Sequence, residues 1–245
     1  TGEKVPRIVS DSLIHPDWVA DRAIHWGEDS ALYQSKILGE FPAIGDPWQV
    51  VPLGWATACR YLEYPAGALP VEAGVDVGAG NDRTVITIRE GMRIRHIEWF
   101  VNPDPVQTVP LIARVLQEHG VTCVKVDSIG VGWGIYGSLR DLSRVNNPQG
   151  LYTTHGAEVV PVNVAQSPTV GNEHKYTNRR AEMWWGIGRE HSRLRLWDFS
   201  SLPRGLADEL IHELTMPKYE IMDAKGKIKI EAKDKIRERL HASPD

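Results

Sequence analysis

Val71-Glu72-Ala73-Gly74-Val75-Asp76-Val77-Gly78-Ala79-Gly80-Asn81-Asp82-Arg83-Thr84 is a run of β-formers that delivers an aspartate to a strand end and breaks at once into glycines. Val124-Lys125-Val126-Asp127-Ser128-Ile129-Gly130 repeats the arrangement further along. A lone strand-end aspartate serves equally well as a turn cap or an arginine partner; the repetition favours a shared site. A carboxylate there, with no bulky neighbour behind it, leaves room for a hydrated divalent cation. If the two strands are parallel neighbours, Asp76 and Asp127 arrive at one sheet edge, where like charges repel unless a cation or a shared proton intervenes. Mg2+ or Mn2+ suits such a site, because hard cations take oxygen ligands. Two such ions about 4 Å apart can activate a water and stabilise the leaving oxygen of a phosphodiester. Asp245, in Ala242-Ser243-Pro244-Asp245, is a third candidate carboxylate. Asp82 is a fourth: it either folds back toward a second metal or serves as an Asx-turn residue before the next strand.

Outward from these segments the pattern is α/β. Residues 71–77, 84–89 and 94–100 predict three sequential strands, with a hairpin turn at 90–93. Residues 105–119 predict a helix with Val109, Ile112, Ala113 and Leu116 on one face, ended by Gly120. A short buried strand follows at 121–126, then a helix at 132–143, a strand at 158–164, and helices at 177–191 and 202–214. Tyr219–Met222 and Lys227–Ile230 predict a hairpin, and 232–240 a last helix that runs toward Asp245. Three strands followed by alternating elements give a mixed central sheet with helices on both faces. Residues 1–68 read differently, as a helical connector: helices at 16–26, 30–38 and 54–62, with a boundary at Tyr64-Pro65-Ala66-Gly67. The domain proper is 69–245.

Composition sets limits. The 245 residues are 42% hydrophobic and 24% charged with a formal net charge of −4, ordinary for a globular protein and unlike one that coats nucleic acid nonspecifically. No run approaches the ~20 apolar residues of a membrane span, and the N-terminus lacks the apolar stretch of a secretion signal. The polar opening and the closing Pro244-Asp245 read as a piece of something longer. Cys59 and Cys123 lie far apart, and Cys123 sits in an apolar strand pattern, so a reduced buried thiol is expected. The nine histidines form no His-Glu-x-x-His, there is no Cys-x-x-Cys, and no Gly-x-x-x-x-Gly-Lys-Ser/Thr occurs. Zinc hydrolysis and a P-loop of its own are thereby set aside.

In order and spacing, the chain resembles the nuclease half of the large terminase subunit of tailed bacteriophages, a member of the RNase H-like superfamily. The residues that carry the resemblance are Gly74-Val75-Asp76-Val77-Gly78 with Asp82, Val126-Asp127-Ser128-Ile129-Gly130-Val131-Gly132, Asn178-Arg179-Arg180-Ala181-Glu182-Met183-Trp184-Trp185, and Lys233 through Ser243-Pro244-Asp245. Leu38-Gly39-Glu40-Phe41-Pro42 and Val51-Pro52-Leu53 look like the segment that joins that family's ATPase to its nuclease. The resemblance implies a two-metal endonuclease that cuts concatemeric viral DNA during packaging. Asp76, Asp127 and Asp245 would be metal ligands for Mg2+ or Mn2+, and Asp82 a further catalytic acid. It also implies double-stranded DNA, the terminase ATPase domain, the small subunit and the portal protein as partners, in the host cytoplasm and without a membrane.

From Lys218 to His241 there are eight Lys/Arg against five Asp/Glu, a local balance of +3. Lys225, Lys227 and Lys229 on the hairpin, and Lys233, Lys235, Arg237 and Arg239 on the next helix, would grip phosphates near the metals without reading sequence; the competing reading is a solvated lysine face. Arg179 and Arg180 read as partners of Glu182 or of the sheet, and Trp184 and Trp185 as packing. Two other functions compete. Asp76-Val77-Gly78-Ala79-Gly80 with Thr84 mimics the phosphate loop of an actin-like phosphotransferase lobe, and a non-catalytic module that docks a motor or portal needs no metal at all.

Overall fold

The computed structural model describes residues 15–26, 28, 33–39, 46–63, 69–80, 82–102, 104–144, 157–222 and 226–241. Asp245, Lys225 and the boundary expected at 64–67 lie outside the described residues.

Ahead of the main sheet come α1 (Pro16–Trp26), a π-helical turn (Gln34–Leu38) and α2 (Leu53–Ala58), which tightens into a 3-10 turn at Cys59–Tyr61. The sheet follows: β1 (Val71–Asp76), β2 (Thr84–Glu90), β3 (Arg93–Phe100), α3 (Pro105–Glu118), β4 (Cys123–Asp127), α4 (Val131–Arg144) and β5 (Glu158–Val162). Next are α5 (Arg179–Met183), a π-helical stretch (Trp184–Arg189), α6 (Glu190–Arg193), α7 (Arg204–Thr215), the hairpin β6 (Tyr219–Met222) and β7 (Lys227–Ile230), and α8 (Lys233–Leu240). The five strands lie in the order β3-β2-β1-β4-β5. β1–β2 and β2–β3 are antiparallel, as tight connections require; β1–β4 and β4–β5 are parallel and joined through helices.

Period-two alternation decides which face each residue takes. Ala73 and Val75 of β1, Ile86 and Ile88 of β2, and Val124 and Val126 of β4 are buried together against Ile112, Val115 and Leu116 of α3 and Ile135 and Leu139 of α4. Each Val, Leu or Ile side chain so removed from water contributes about 1.5–3 kcal/mol before chain entropy is counted. The intervening residues Gly74, Asp76, Thr87, Lys125 and Asp127 therefore belong to the opposite face, which the π-helical stretch and α7 partly cover.

A second core lies beyond that face. Val50, Val51, Ala56 and Cys59 pack there with Ile94, Trp185, Phe199, Ile211, Tyr219 and Ile228. Val50, Val51, Ala56 and Cys59, within the segment expected as connector, thus share a core with the hairpin. Val50 N–H donates to Pro217 O at 2.9 Å, and the buried Arg189 donates from Nη1 to Val50 O at 2.7 Å. The Arg189 guanidinium lies over Trp185 at 4.5 Å and Trp55 at 4.8 Å. A desolvated cation between aromatic faces is worth about 2 kcal/mol.

Two expectations change in detail. The helix expected over 177–191 begins at Arg179, with Asn178 Oδ1 accepting from Ala181 N–H at 2.9 Å, and widens into π geometry at Trp184–Arg189. There two indole rings follow one another and the Trp184 ring lies 3.4 Å from where a Cβ on Gly188 would sit. Cys123, expected buried, is half-buried, and Cys59 is the fully buried thiol; both are free. Cys123 sits in a β4 whose outer face is only partly covered. No helix among the described residues is long and apolar enough to cross a membrane.

Candidate active site

β1 and β4 run parallel with Val75 opposite Val126, so the residues that follow, Asp76 and Asp127, end neighbouring strands side by side. Adjacent strands lie about 4.8 Å apart, and both side chains take the face away from the α3–α4 core. They line a cleft of about 430 Å³ whose walls include Val85, Thr87, Val162, Met183, Trp184 and Leu214. Its lining is mostly apolar, with Asp76, Asp127, Lys125, Arg180, Glu213 and Lys233 as its charged groups.

Two glycines make this geometry possible. A Cβ on Gly78 would lie 2.4 Å from the carbonyl oxygens of both Asp82 and Arg83, so the chain leaving β1 folds back on itself only without a side chain there. A Cβ on Gly132 would lie 1.9 Å from the Asp127 carbonyl oxygen, so the first turn of α4 closes onto the end of β4 only with glycine at that position. Thr84 Oγ1 accepts from Gly78 N–H at 3.1 Å and tightens the same turn.

The two carboxylates differ in surroundings. Asp127 Oδ1 accepts the Ile129 N–H at 3.0 Å. Burial pushes the Asp127 carboxyl above the ordinary carboxylate range and the Asp76 charge adds to it, against the opposing pull of the Ile129 N–H and the Lys233 ammonium. Asp76 Oδ2 accepts from Lys233 Nζ at 2.8 Å, both side chains being about two-fifths exposed. A lysine ammonium thus already occupies a place beside the pair that a cation would favour.

The other sequence candidates are distributed as follows. Asp82 is exposed, its Oδ1 lies 3.8 Å from Arg237 Nη2, and it is not part of the cleft lining. Lys229 and Lys235 each lie 4.0 Å from Glu220 carboxylate oxygens, and Lys227 is half-buried at the start of β7. Arg179 pairs with Glu182 at 3.3 Å, while Arg180 donates from Nη1 to Glu231 O at 2.6 Å and borders the cleft. Trp185 is buried, and Trp184 is a half-buried cleft wall. Among the described residues, no three His, Cys, Asp or Glu side chains converge to hold a metal ion. The sequence reading missed Glu213 as a cleft residue, although the stripe of Leu206, Leu210 and Leu214 on α7 places 213 beside it. It also missed the ion pair of Lys233 with Asp76, for which no local signature exists.

No protein-family model and no curated protein sequence matches this chain. Solved structures do. The nuclease domain of the large terminase subunit gp2 of bacterial virus Sf6 is similar with a TM-score of 0.62 at 16% identity, over 80% of this chain and 93% of that one. A mutant of the same Sf6 domain, with manganese and beta-thujaplicinol, gives a TM-score of 0.63 at 16% identity and the same coverage. The large terminase nuclease from thermophilic phage G20c with bound magnesium gives 0.51 at 15% identity, over 77% and 89% of the two chains. With β1, β4 and the helices on both faces arranged as they are here, this chain has the RNase H-like fold of the large terminase nuclease domains.

Proposed function

We propose that this chain is a metal-dependent DNA endonuclease domain of a viral packaging terminase, which cuts concatemeric double-stranded DNA by phosphodiester hydrolysis. The observation that carries the reading is the pairing of Asp76 with Asp127 at the ends of adjacent parallel strands, facing one cleft. The residues fit a hard divalent cation on their own chemistry. The donors are carboxylate oxygens, and Asp127's raised carboxyl pKa reports burial and like charge that a shared cation would relieve. The similar Sf6 and G20c domains include forms with manganese and with magnesium.

Asp76 and Asp127 would hold Mg2+ or Mn2+, with Asp245 as a third ligand and Asp82 as a further acid. When bound, the ions would supply an activated water and stabilise charge on the leaving oxygen. The remaining work falls to the chain. Lys233 balances the charge of Asp76 and lies close enough to exchange that partner for a phosphate oxygen. Among the described residues, Lys229, Lys235 and Arg237 pair with exposed partners at 3.8–4.0 Å, pairs worth about 0–1 kcal/mol that a DNA backbone can displace. With Lys225 and Lys227 they would form a phosphate-gripping rim. An actin-like phosphotransferase is less well supported, because Asp76 and Asp127 face one cleft as a carboxylate pair and the similar solved structures are nuclease domains. The same reading gives the domain an ATPase domain, a small subunit and a portal protein as working partners.

Supercoiled plasmid incubated with the chain should be nicked and linearised with Mn2+ or Mg2+, and not in EDTA. Asp76→Asn and Asp127→Asn should each abolish cutting. Cutting in EDTA, or undiminished cutting by both variants, would sink the reading.

A further inference from the structure

Three large apolar side chains stand exposed at alternate positions just past Asp127: Ile129 at 45%, Val131 at 43% and Trp133 at 62%. They are not on a loose loop. The Ile129 N–H is bonded to the Asp127 carboxylate, Gly132 N–H donates to Ile129 O at 3.1 Å, and Trp133 N–H donates to Gly130 O at 3.3 Å. The close approach of Gly132 to the Asp127 carbonyl pins the turn further. A folded chain holds such a row in water at some cost, and an exposed apolar patch beside a polar rim marks a contact surface.

Its position says what contacts it. Trp133 lies in the first turn of α4, which begins at Val131 just past the Asp127 end of β4, and side chains in a helix lean back toward its N-terminus. Trp133 continues along α4 into Tyr136, ring centroids 5.4 Å apart, and the Arg140 guanidinium lies 5.6 Å from the Tyr136 ring. The Arg140 guanidinium is itself paired with Asp141 at 3.1 Å, so what this stretch offers a nucleic-acid strand is chiefly the ring faces on which bases stack. The first turn of α4 itself carries no acidic residue.

On the reading that this chain cuts DNA, we propose that Trp133 stacks against a base drawn out of the duplex stack beside the scissile phosphate, with Ile129 packing beside it, so that this turn seats the strand over Asp76 and Asp127. DNA bearing 5-iodouracil near its cleavage position, irradiated with the wild-type chain in Ca2+, should yield an adduct that mass spectrometry maps to Trp133. Trp133→Ala should raise KM for duplex cleavage about tenfold with kcat within about twofold, and Trp133→Phe should recover most of the loss. The side chain is exposed, so thermal melting should not move, which separates contact from folding.

A wild-type chain that cuts DNA while Trp133→Ala leaves KM unchanged and no adduct maps to Trp133 overturns this inference alone. The same follows if Trp133→Ala spares DNA cleavage and instead abolishes association with a second copy of the chain, which makes the patch a protein interface. An adduct at Trp133 without cutting in any metal upholds the contact and removes the nuclease reading.

Discussion

Replacing Asp127 with asparagine should make the metal-free protein more stable while it destroys the proposed metal site. The asparagine side chain keeps a carbonyl oxygen to accept the Ile129 N–H that Asp127 accepts at 3.0 Å, so the local hydrogen bond survives. What disappears is a charge that is partly desolvated and lies beside Asp76 on the neighbouring strand. Two like charges about 5 Å apart repel by roughly 1 kcal/mol in water and about 3 kcal/mol at the effective dielectric of a protein surface. Lys233 offsets part of this, and the lower figure is the better guide. For a chain of this size about 1 kcal/mol corresponds to a rise in Tm of about 2–4 °C.

The sign with pH follows. Asp127's folded-state pKa is raised above its ordinary value of 3.8, so its penalty is full above the raised value, fades as pH falls through it, and vanishes below 3.8. The advantage of Asp127→Asn should therefore be present at pH 7–8 and shrink under acid. Scanning calorimetry in EDTA and in excess Mn2+ separates the two effects. Mn2+ at a hundred times its dissociation constant should stabilise the wild type by about 2.7 kcal/mol and leave the variant unmoved. A variant less stable than wild type in EDTA at pH 7.5, or an equal Mn2+ shift in both proteins, would refute the reasoning.

Other outcomes follow from the same geometry. Lys233→Met should change stability by less than about 1 kcal/mol, since the pair with Asp76 is exposed, yet tighten Mn2+ binding several-fold in calorimetric titration because the competing ammonium is gone. Gly132→Ala should cost about 2–4 kcal/mol in urea unfolding and also weaken metal binding, because its Cβ collides with the Asp127 carbonyl and the whole turn must shift. With a thiol reagent at pH 8, Cys123 should react slowly and Cys59 only after unfolding: Cys59 is fully buried and its thiol is pushed up to about 11, while Cys123 is half-buried and shifted less far.

The strands and the carboxylate pair were legible because a sheet with one buried face writes itself as alternation. Val75 and Val126 point inward, so Asp76 and Asp127 must point outward, and the parallel pairing brings them together. The hairpin at 219–230 was legible for the same local reason. The ion pair of Lys233 with Asp76 spans 157 residues and has no signature at either end. The place of Val50 and Val51 in the second core depends on hydrogen bonds from Arg189 and to Pro217 that only the folded chain supplies. The π-helical stretch escaped because Trp184–Arg189 has helical composition, and a single wider turn leaves the apolar spacing almost unchanged.

Crystals of the chain soaked in Mn2+ and measured at the manganese absorption edge test the central claim most directly. The account predicts an anomalous peak within about 2.2 Å of carboxylate oxygens of both Asp76 and Asp127, with Lys233 Nζ moved off Asp76. Saturating Mn2+ with no peak between the two aspartates, and Lys233 still bonded to Asp76, would contradict it.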